Sequence, residues 1–184
     1  MNIVVFNGSP RKNGGCAALI QALVAGAQKK GHTAKVFHLI DQRVEPCLAC
    51  YACMGRKVEF CVHDDDFTPM ARDLLAADTV VFASPVYMGQ ITGLLKTFFD
   101  RWITFAEPDF SIRHVKGKRF VTIVTSGAPA DRFKEVTDYL KYWLGEFFKM
   151  RHAGSLMAGD LHDPGDVQKR PDLLREAEAL GQAL

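Results

Sequence analysis

No apolar stretch in this chain of 184 residues is long enough to span a bilayer. The first residues also lack a basic segment followed by a cleavable apolar one, because the run Ile3-Val4-Val5-Phe6 has only strand length. There is no long block of one charge sign, no internal repeat and no low-complexity segment. The net charge of +2 gives no electrostatic case for nucleic acid or an anionic membrane surface. These absences predict a cytoplasmic protein with neither a nucleic-acid nor a membrane partner. With 48% hydrophobic and 24% charged residues, the composition is that of an ordinary globular protein. The length predicts a single domain, residues 1–184.

Cysteine is scarce and unevenly spent. Four of the five cysteines fall in one stretch, Cys47-x-x-Cys50-x-x-Cys53 followed by Cys61. Thiols at three-residue steps can converge on one metal centre but cannot usefully staple a fold. An odd count in a reducing compartment also favours metal or redox chemistry over disulfides. The spacing is that of iron–sulfur ligand runs. A tetrathiolate zinc site and a loop of free thiols, residues 46–62, are the alternatives.

Short apolar runs alternate with amphipathic stretches. Strands are expected at 3–6, 35–40, 79–83, 120–124 and 153–157. Helices are expected at 17–30, 69–77, 93–105, 133–148 and 171–183, the first closed by Gly31. Strands apolar on both faces and separated by helices predict an α/β fold. It is a doubly wound, five-stranded parallel sheet of order 2-1-3-4-5, with helices on both faces. Ligands of such sheets bind past the strand C-termini, at the crevice between strands 1 and 3.

Three loops fall at that edge. Asn7-Gly8-Ser9-Pro10-Arg11-Lys12-Asn13-Gly14-Gly15-Cys16 joins the first strand to the first helix. It combines glycines, a hydroxyl, a guanidinium and a helix N-terminus, which suits a phosphate. It has neither a Walker ending nor the Gly-x-Gly-x-x-Gly dinucleotide fingerprint. Ser84-Pro85-Val86-Tyr87-Met88-Gly89 follows the third strand and offers apolar surface to a planar ring. Thr125-Ser126-Gly127-Ala128-Pro129 follows the fourth and is expected to close the crevice.

Gly8-Ser9-Pro10-Arg11, Asn13-Gly14, Ser84-Pro85-Val86-Tyr87, Gly93-Leu94-Leu95-Lys96 and Phe99-Asp100-Arg101, in that order, resemble the NAD(P)H-dependent FMN reductase group of flavodoxin-like proteins. With the cysteine run, the likeness is strongest to the iron–sulfur flavoproteins of that group. The resemblance implies FMN as cofactor, NAD(P)H as donor and an electron acceptor that the sequence does not identify. It implies that Ser9, Arg11, Gly15 and Cys16 surround the FMN phosphate, with Asn13 in the same loop also at the cofactor. Pro85, Val86, Tyr87, Met88 and Gly89 would wrap the isoalloxazine, with Ser126 and Gly127 at its other edge. Cys47, Cys50, Cys53 and Cys61 would hold a [4Fe–4S] cluster. Two features depart from the group's pattern: Gly15-Cys16 replaces an Asn followed by Ser or Thr, and the gap before Cys61 is long.

The flavin would carry the chemistry, so no catalytic side chain is assigned. A non-enzymatic electron carrier and a flavin-free metal-binding or regulatory module are the competing readings. The histidines His32, His38, His63, His114, His152 and His162 read as surface residues. Asp64-Asp65-Asp66 reads as a solvated turn, and Asp100-Arg101 as helix-end structure. Phe98, Phe99, Trp102 and Phe105, and then Tyr139, Trp143, Phe147 and Phe148, read as core stripes with surface to spare. That surplus predicts a homodimer or homotetramer.

Overall fold

The computed structural model describes residues 1–184. Five strands, β1 (Asn2–Asn7), β2 (Thr33–His38), β3 (Thr79–Pro85), β4 (Arg119–Thr125) and β5 (Arg151–Ala158), form one sheet of order 2-1-3-4-5. Every neighbouring pair is parallel. The expected flavodoxin-like order is therefore the observed one. The helices are α1 (Gly15–Lys29), α2 (Phe67–Ala76), α3 (Gly93–Asp100), α4 (Lys134–Lys141) and α5 (Pro171–Gln182). None is long and apolar enough to cross a membrane.

The period-two alternation of side chains divides the interior in two. Val4, Phe6, Val80, Phe82, Phe120 and Val124 face α2, α3 and α4 in the larger, aromatic-rich core. Ile3, Val5, Val81, Ala83, Val121 and Ile123 face α1 and α5. The two helices of that second layer touch backbone to backbone. A Cβ on Gly26 would stand 2.0 Å from the carbonyl oxygen of Glu178, so only glycine permits the approach. Gly31 takes φ +77° just beyond α1, as expected of a residue that stops a helix.

Two expected helices are interrupted. The stretch 93–105 is α-helical only to Asp100 and then tightens into a 3₁₀ turn, Arg101–Phe105. The stretch 133–148 widens into a π-helical segment at Tyr142–Phe147. Both irregularities follow the aromatic content. Trp102, Phe105 and Phe148 pack ring against ring, with Trp102 5.3 Å from each of the other two, and the backbone adjusts to seat them. Phe98, Phe99, Trp102 and Phe105 are all buried within the chain. The surplus expected on that stripe is absent; the exposed aromatic side chains are instead Tyr51, Tyr87, Phe110 and Tyr142.

Candidate functional site

A crevice opens at the C-terminal edge of the sheet. It has a volume of about 250 Å³ and is lined from four strand ends. Ser9, Arg11, Gly15 and Cys16 follow β1, and Pro85, Val86 and Tyr87 end or follow β3. Ser126 and Gly127 follow β4. Of the residues named from sequence, Asn13, Met88 and Gly89 do not line it. Asn13 points to solvent. Met88 and Gly89 are the centre of a tight turn closed by reciprocal hydrogen bonds between Tyr87 and Gln90, of 2.9 and 3.0 Å. Both have positive φ, +49° and +76°, the signature of a hairpin turn that lifts Met88 fully into solvent.

The loop after β1 is held by its own polar groups. Asn7 Oδ1 accepts the N–H of Ser9 at 3.0 Å, and Ser9 Oγ accepts that of Arg11 at 3.1 Å. Gly8 donates to the Ala83 carbonyl at 2.8 Å and accepts from Thr92 Oγ1 at 2.7 Å. A Cβ on Gly8 would lie 2.7 Å from Cβ of Leu95, so the loop and α3 meet only because this residue is glycine. The N–H groups of Gly15, Cys16 and Ala17 take no partner inside the chain. They stand at the positive end of a 15-residue helix, a ready anion site. Cys16 is wholly buried, and burial pushes its thiol up to about 12 against a hydrogen bond with Thr125. It is a neutral wall of the crevice.

A fourth wall was missed from sequence. Leu161, His162, Asp163 and Pro164, just past β5, also line the crevice. They are tied to the β4 loop by Leu161 N–H to Ser126 O at 3.0 Å and Asp160 N–H to Ala128 O at 3.0 Å. The His162 carbonyl accepts from Arg11 Nη1 at 3.4 Å. The imidazole sits close enough to Gly127 that a Cβ there would be 3.1 Å from Nδ1. Asp166 holds the turn by accepting the N–H groups of Asp163 and His162, and its carboxyl is lowered to about 2 by those bonds and Lys169. No spacing rule marks such a loop; its nearness to the end of a central-sheet strand was the available signal.

The second site is the cysteine loop after β2, on the same edge of the sheet. Cys47, Cys50, Cys53 and Cys61 all line one mainly apolar cavity, with Phe60, His63, Arg101 and Ile103 among its walls. The backbone reaches this arrangement through positive φ at Ala49, Tyr51 and Arg56, none of them glycine. The Ala49 N–H points at Cys47 Sγ at 3.5 Å. Arg113 Nη2 holds the Cys53 carbonyl at 2.8 Å. Burial raises the Cys53 thiol, and the neighbouring Cys61 and Cys47 raise it further, so these sulfurs sense one another. All five cysteines are free thiols. No three His, Cys, Asp or Glu side chains form a group that could hold a single metal ion. Four thiols lining one apolar cavity are the donor chemistry of both zinc and iron–sulfur sites.

The stems of that loop correct one sequence expectation. Asp65 is not solvated. Its side chain is fully buried and accepts from Arg101 Nη1 at 2.8 Å and Nη2 at 3.2 Å, and from the N–H groups of Glu45 and Phe67. Charge pattern alone hid the pairing, because the partner lies 36 residues away. Lys96 and Asp100 do pair on the surface, as their spacing implies.

A model of the NADPH-dependent FMN reductase family matches residues 1–162. An iron–sulfur flavoprotein of Methanosarcina thermophila is 36% identical over 117 residues, 64% of this chain and 60% of that one. The chain thus spans about three fifths of that relative. Among solved structures, an NAD(P)H:quinone oxidoreductase from Methanothermobacter marburgensis superposes with a TM-score of 0.79 at 18% identity, covering 99% of this chain and 98% of the other. An FMN-dependent NADH-azoreductase from Bacillus anthracis, solved with FMN, gives a TM-score of 0.73 at 16% identity over 98% of both chains.

Proposed function

The chain belongs to the NADPH-dependent FMN reductase family, and on that premise we propose that it is an FMN-dependent oxidoreductase. It draws electrons from NADPH or NADH and delivers them to a small-molecule or protein acceptor. The observation that carries this reading is the set of unpartnered N–H groups of Gly15, Cys16 and Ala17, facing a crevice that Arg11 and Ser9 share. One such anion site suits the single phosphate of FMN rather than a dinucleotide.

In this reading Gly15, Cys16 and Arg11 bind the phosphate, with Asn13 at its outer side. Ser9 shapes the loop, since its hydroxyl is already engaged with Arg11. Pro85, Val86 and Tyr87 form one wall for the ring, and Ser126 and Gly127 the other. Met88 and Gly89 stand at the rim, where a nicotinamide arrives. The chemistry that FMN supplies there is hydride acceptance from the nicotinamide and onward electron delivery. The residues named bind and orient it, and no acid–base side chain is required.

Cys47, Cys50, Cys53 and Cys61 are the ligands of a [4Fe–4S] cluster in the same reading, supported by their shared cavity. Such a cluster supplies one-electron transfer. Residues 1–184 act as one flavodoxin-like domain with the cysteine loop at 46–62. Five free thiols favour a cytoplasmic setting, and the exposed aromatic groove by Trp143 supports a homodimer or homotetramer.

The test is anaerobic purification followed by flavin, iron and sulfide assays and NADPH and NADH oxidation with FMN present. Bound FMN, nicotinamide oxidation and about four irons per chain are expected. Bound FMN with no nicotinamide oxidation would make it an electron carrier instead. A protein that cannot take up FMN would end the proposal.

A further inference from the structure

The cysteine cavity has one wall that thiol ligation leaves unused. Arg101 opens the 3₁₀ turn after α3, and its side chain has no solvent exposure. Two of its three nitrogens are engaged: Nη1 with Asp65 and, at 2.7 Å, the Glu45 carbonyl, and Nη2 with Asp65. The guanidinium also lies over the Phe67 ring, 4.5 Å from its centroid. The third nitrogen, Nε, is buried and has no partner. Buried donors are rarely left unpaired, because such a group loses its hydration with nothing in return. The other buried polar atoms without partners belong to Thr79, Trp102 and Thr137, none of which lines the cysteine cavity; Arg101 does.

We propose that Arg101 is a positioning residue for the metal group. Its Nε–H donates to a thiolate or inorganic sulfide in the cavity, and its pair with Asp65 fixes the stems from which the cysteine loop hangs. The proposal rests on the cluster reading above. The two roles come from different atoms. Both ends of the loop, Glu45 and Asp65, bind the guanidinium through Nη1 and Nη2, which leaves Nε free to serve the cavity. Asp65 pairs with the cation through Nη1 and Nη2, so what Arg101 has left to offer the cavity is the Nε–H donor. A cluster gains negative charge on reduction, and hydrogen bonds to its sulfurs favour the reduced form. Lysine cannot substitute, because it has neither the planar fork nor the Nε–H.

The experiment compares the anaerobically purified wild-type chain with Arg101→Lys and Arg101→Gln. It reads iron and sulfide content, the rate of iron loss to a chelator, and the cluster midpoint potential. Retained FMN absorbance reports folding. Iron loss at least tenfold faster is expected, in keeping with the usual effect of outer-shell partners. A tenfold weaker preference for the reduced form is also expected, about 59 mV more negative for a one-electron couple. Variants with wild-type iron retention and potential would overturn the proposal. A wild-type chain without iron or sulfide, even after reconstitution, would instead overturn the cluster reading itself. If neither variant folds, ¹⁵N-arginine-labelled wild type decides. The slowly exchanging Arg101 Nε–H resonance must shift or broaden on cluster loading, and one that does neither refutes the donation.

Discussion

Cys16 Sγ lies 3.3 Å from Thr125 Oγ1, joining the first turn of α1 to the end of β4 inside the crevice. The contact seals the base of the phosphate loop with two weakly polar groups, and the thiol is held neutral with its pKa raised by burial to about 12.

That raised value has a sign. The folded state holds the Cys16 proton more tightly than the unfolded one, so the contribution is intact below the ordinary thiol value of 9.0. It is lost as pH climbs toward about 12. The expected outcome is that the native chain loses stability relative to Cys16→Ser above pH 9, by up to about 1.4 kcal/mol per pH unit. Urea titrations at several alkaline pH values measure it. The same burial means that iodoacetamide at neutral pH should label Cys50 and spare Cys16 until the chain unfolds.

Arg11→Ala should weaken FMN binding by about 1.5–3 kcal/mol, the usual worth of a hydrogen bond to a charged group. Riboflavin, which lacks the phosphate, should lose almost nothing. A flavin fluorescence titration with both ligands makes the comparison. Equal losses for the two would move Arg11 away from the phosphate.

The parts of this fold that could be read directly from sequence are those governed by local rules. The run Ile3–Phe6 is apolar on both faces, so a central parallel strand was legible from it alone. The residues flanking the crevice were legible because loops after β1, β3 and β4 contain phosphate and ring chemistry in a recognisable order. What escaped depends on distance in the chain. Asp65 looks solvated beside Asp64 and Asp66 until Arg101 closes on it, and His162, exposed as expected, is brought to the crevice only when the β5 loop folds against Ser126. The early end of α3 escaped for a similar reason, since Trp102 and Phe105 fit a helical period and only the crowded aromatic core tightens them into a 3₁₀ turn.

Asp65→Asn should destabilise the chain by about 3–5 kcal/mol, because it leaves the buried Arg101 charge without its partner. Burial pushes the Asp65 carboxyl up, but the bonds from Arg101, Glu45 and Phe67 together outweigh it and hold it below the usual carboxylate range. Its contribution is therefore present above the ordinary value of 3.8 and is lost as pH falls below it. Chemical denaturation at neutral pH and near pH 3 should show the gap between the two proteins closing in acid.

His162→Ala should change flavin binding without changing the fold, since the imidazole is on the crevice side of an exposed loop while the backbone carbonyl, unaltered by the substitution, still holds Arg11. A flavin Kd weakened by a factor of about 3–10 is expected, within the worth of one neutral hydrogen bond. Calorimetry gives the Kd, and the thermal midpoint of the apo chain should remain within about one degree, as for a surface change of less than 0.5 kcal/mol.

The remaining exposed apolar surface makes the strongest demand on assembly. Phe110, Tyr139, Trp143 and Phe147 line an open groove of about 280 Å³ rimmed by the Lys96–Asp100 pair. Phe110 is 60% exposed and Tyr142, beside Trp143, 57%. Aromatic residues grouped on one face are the anchors of protein interfaces, where truncating a central Trp or Tyr costs about 2 kcal/mol or more. Light scattering at micromolar concentration should therefore give at least twice the chain mass. Trp143→Glu should weaken association at least tenfold, about 1.4 kcal/mol, because it places an unpaired charge in the groove. The crevice lies at the strand C-termini and does not share these residues, so FMN affinity should survive in the dissociated protein. A native chain that is strictly monomeric at that concentration would assign the groove to another partner.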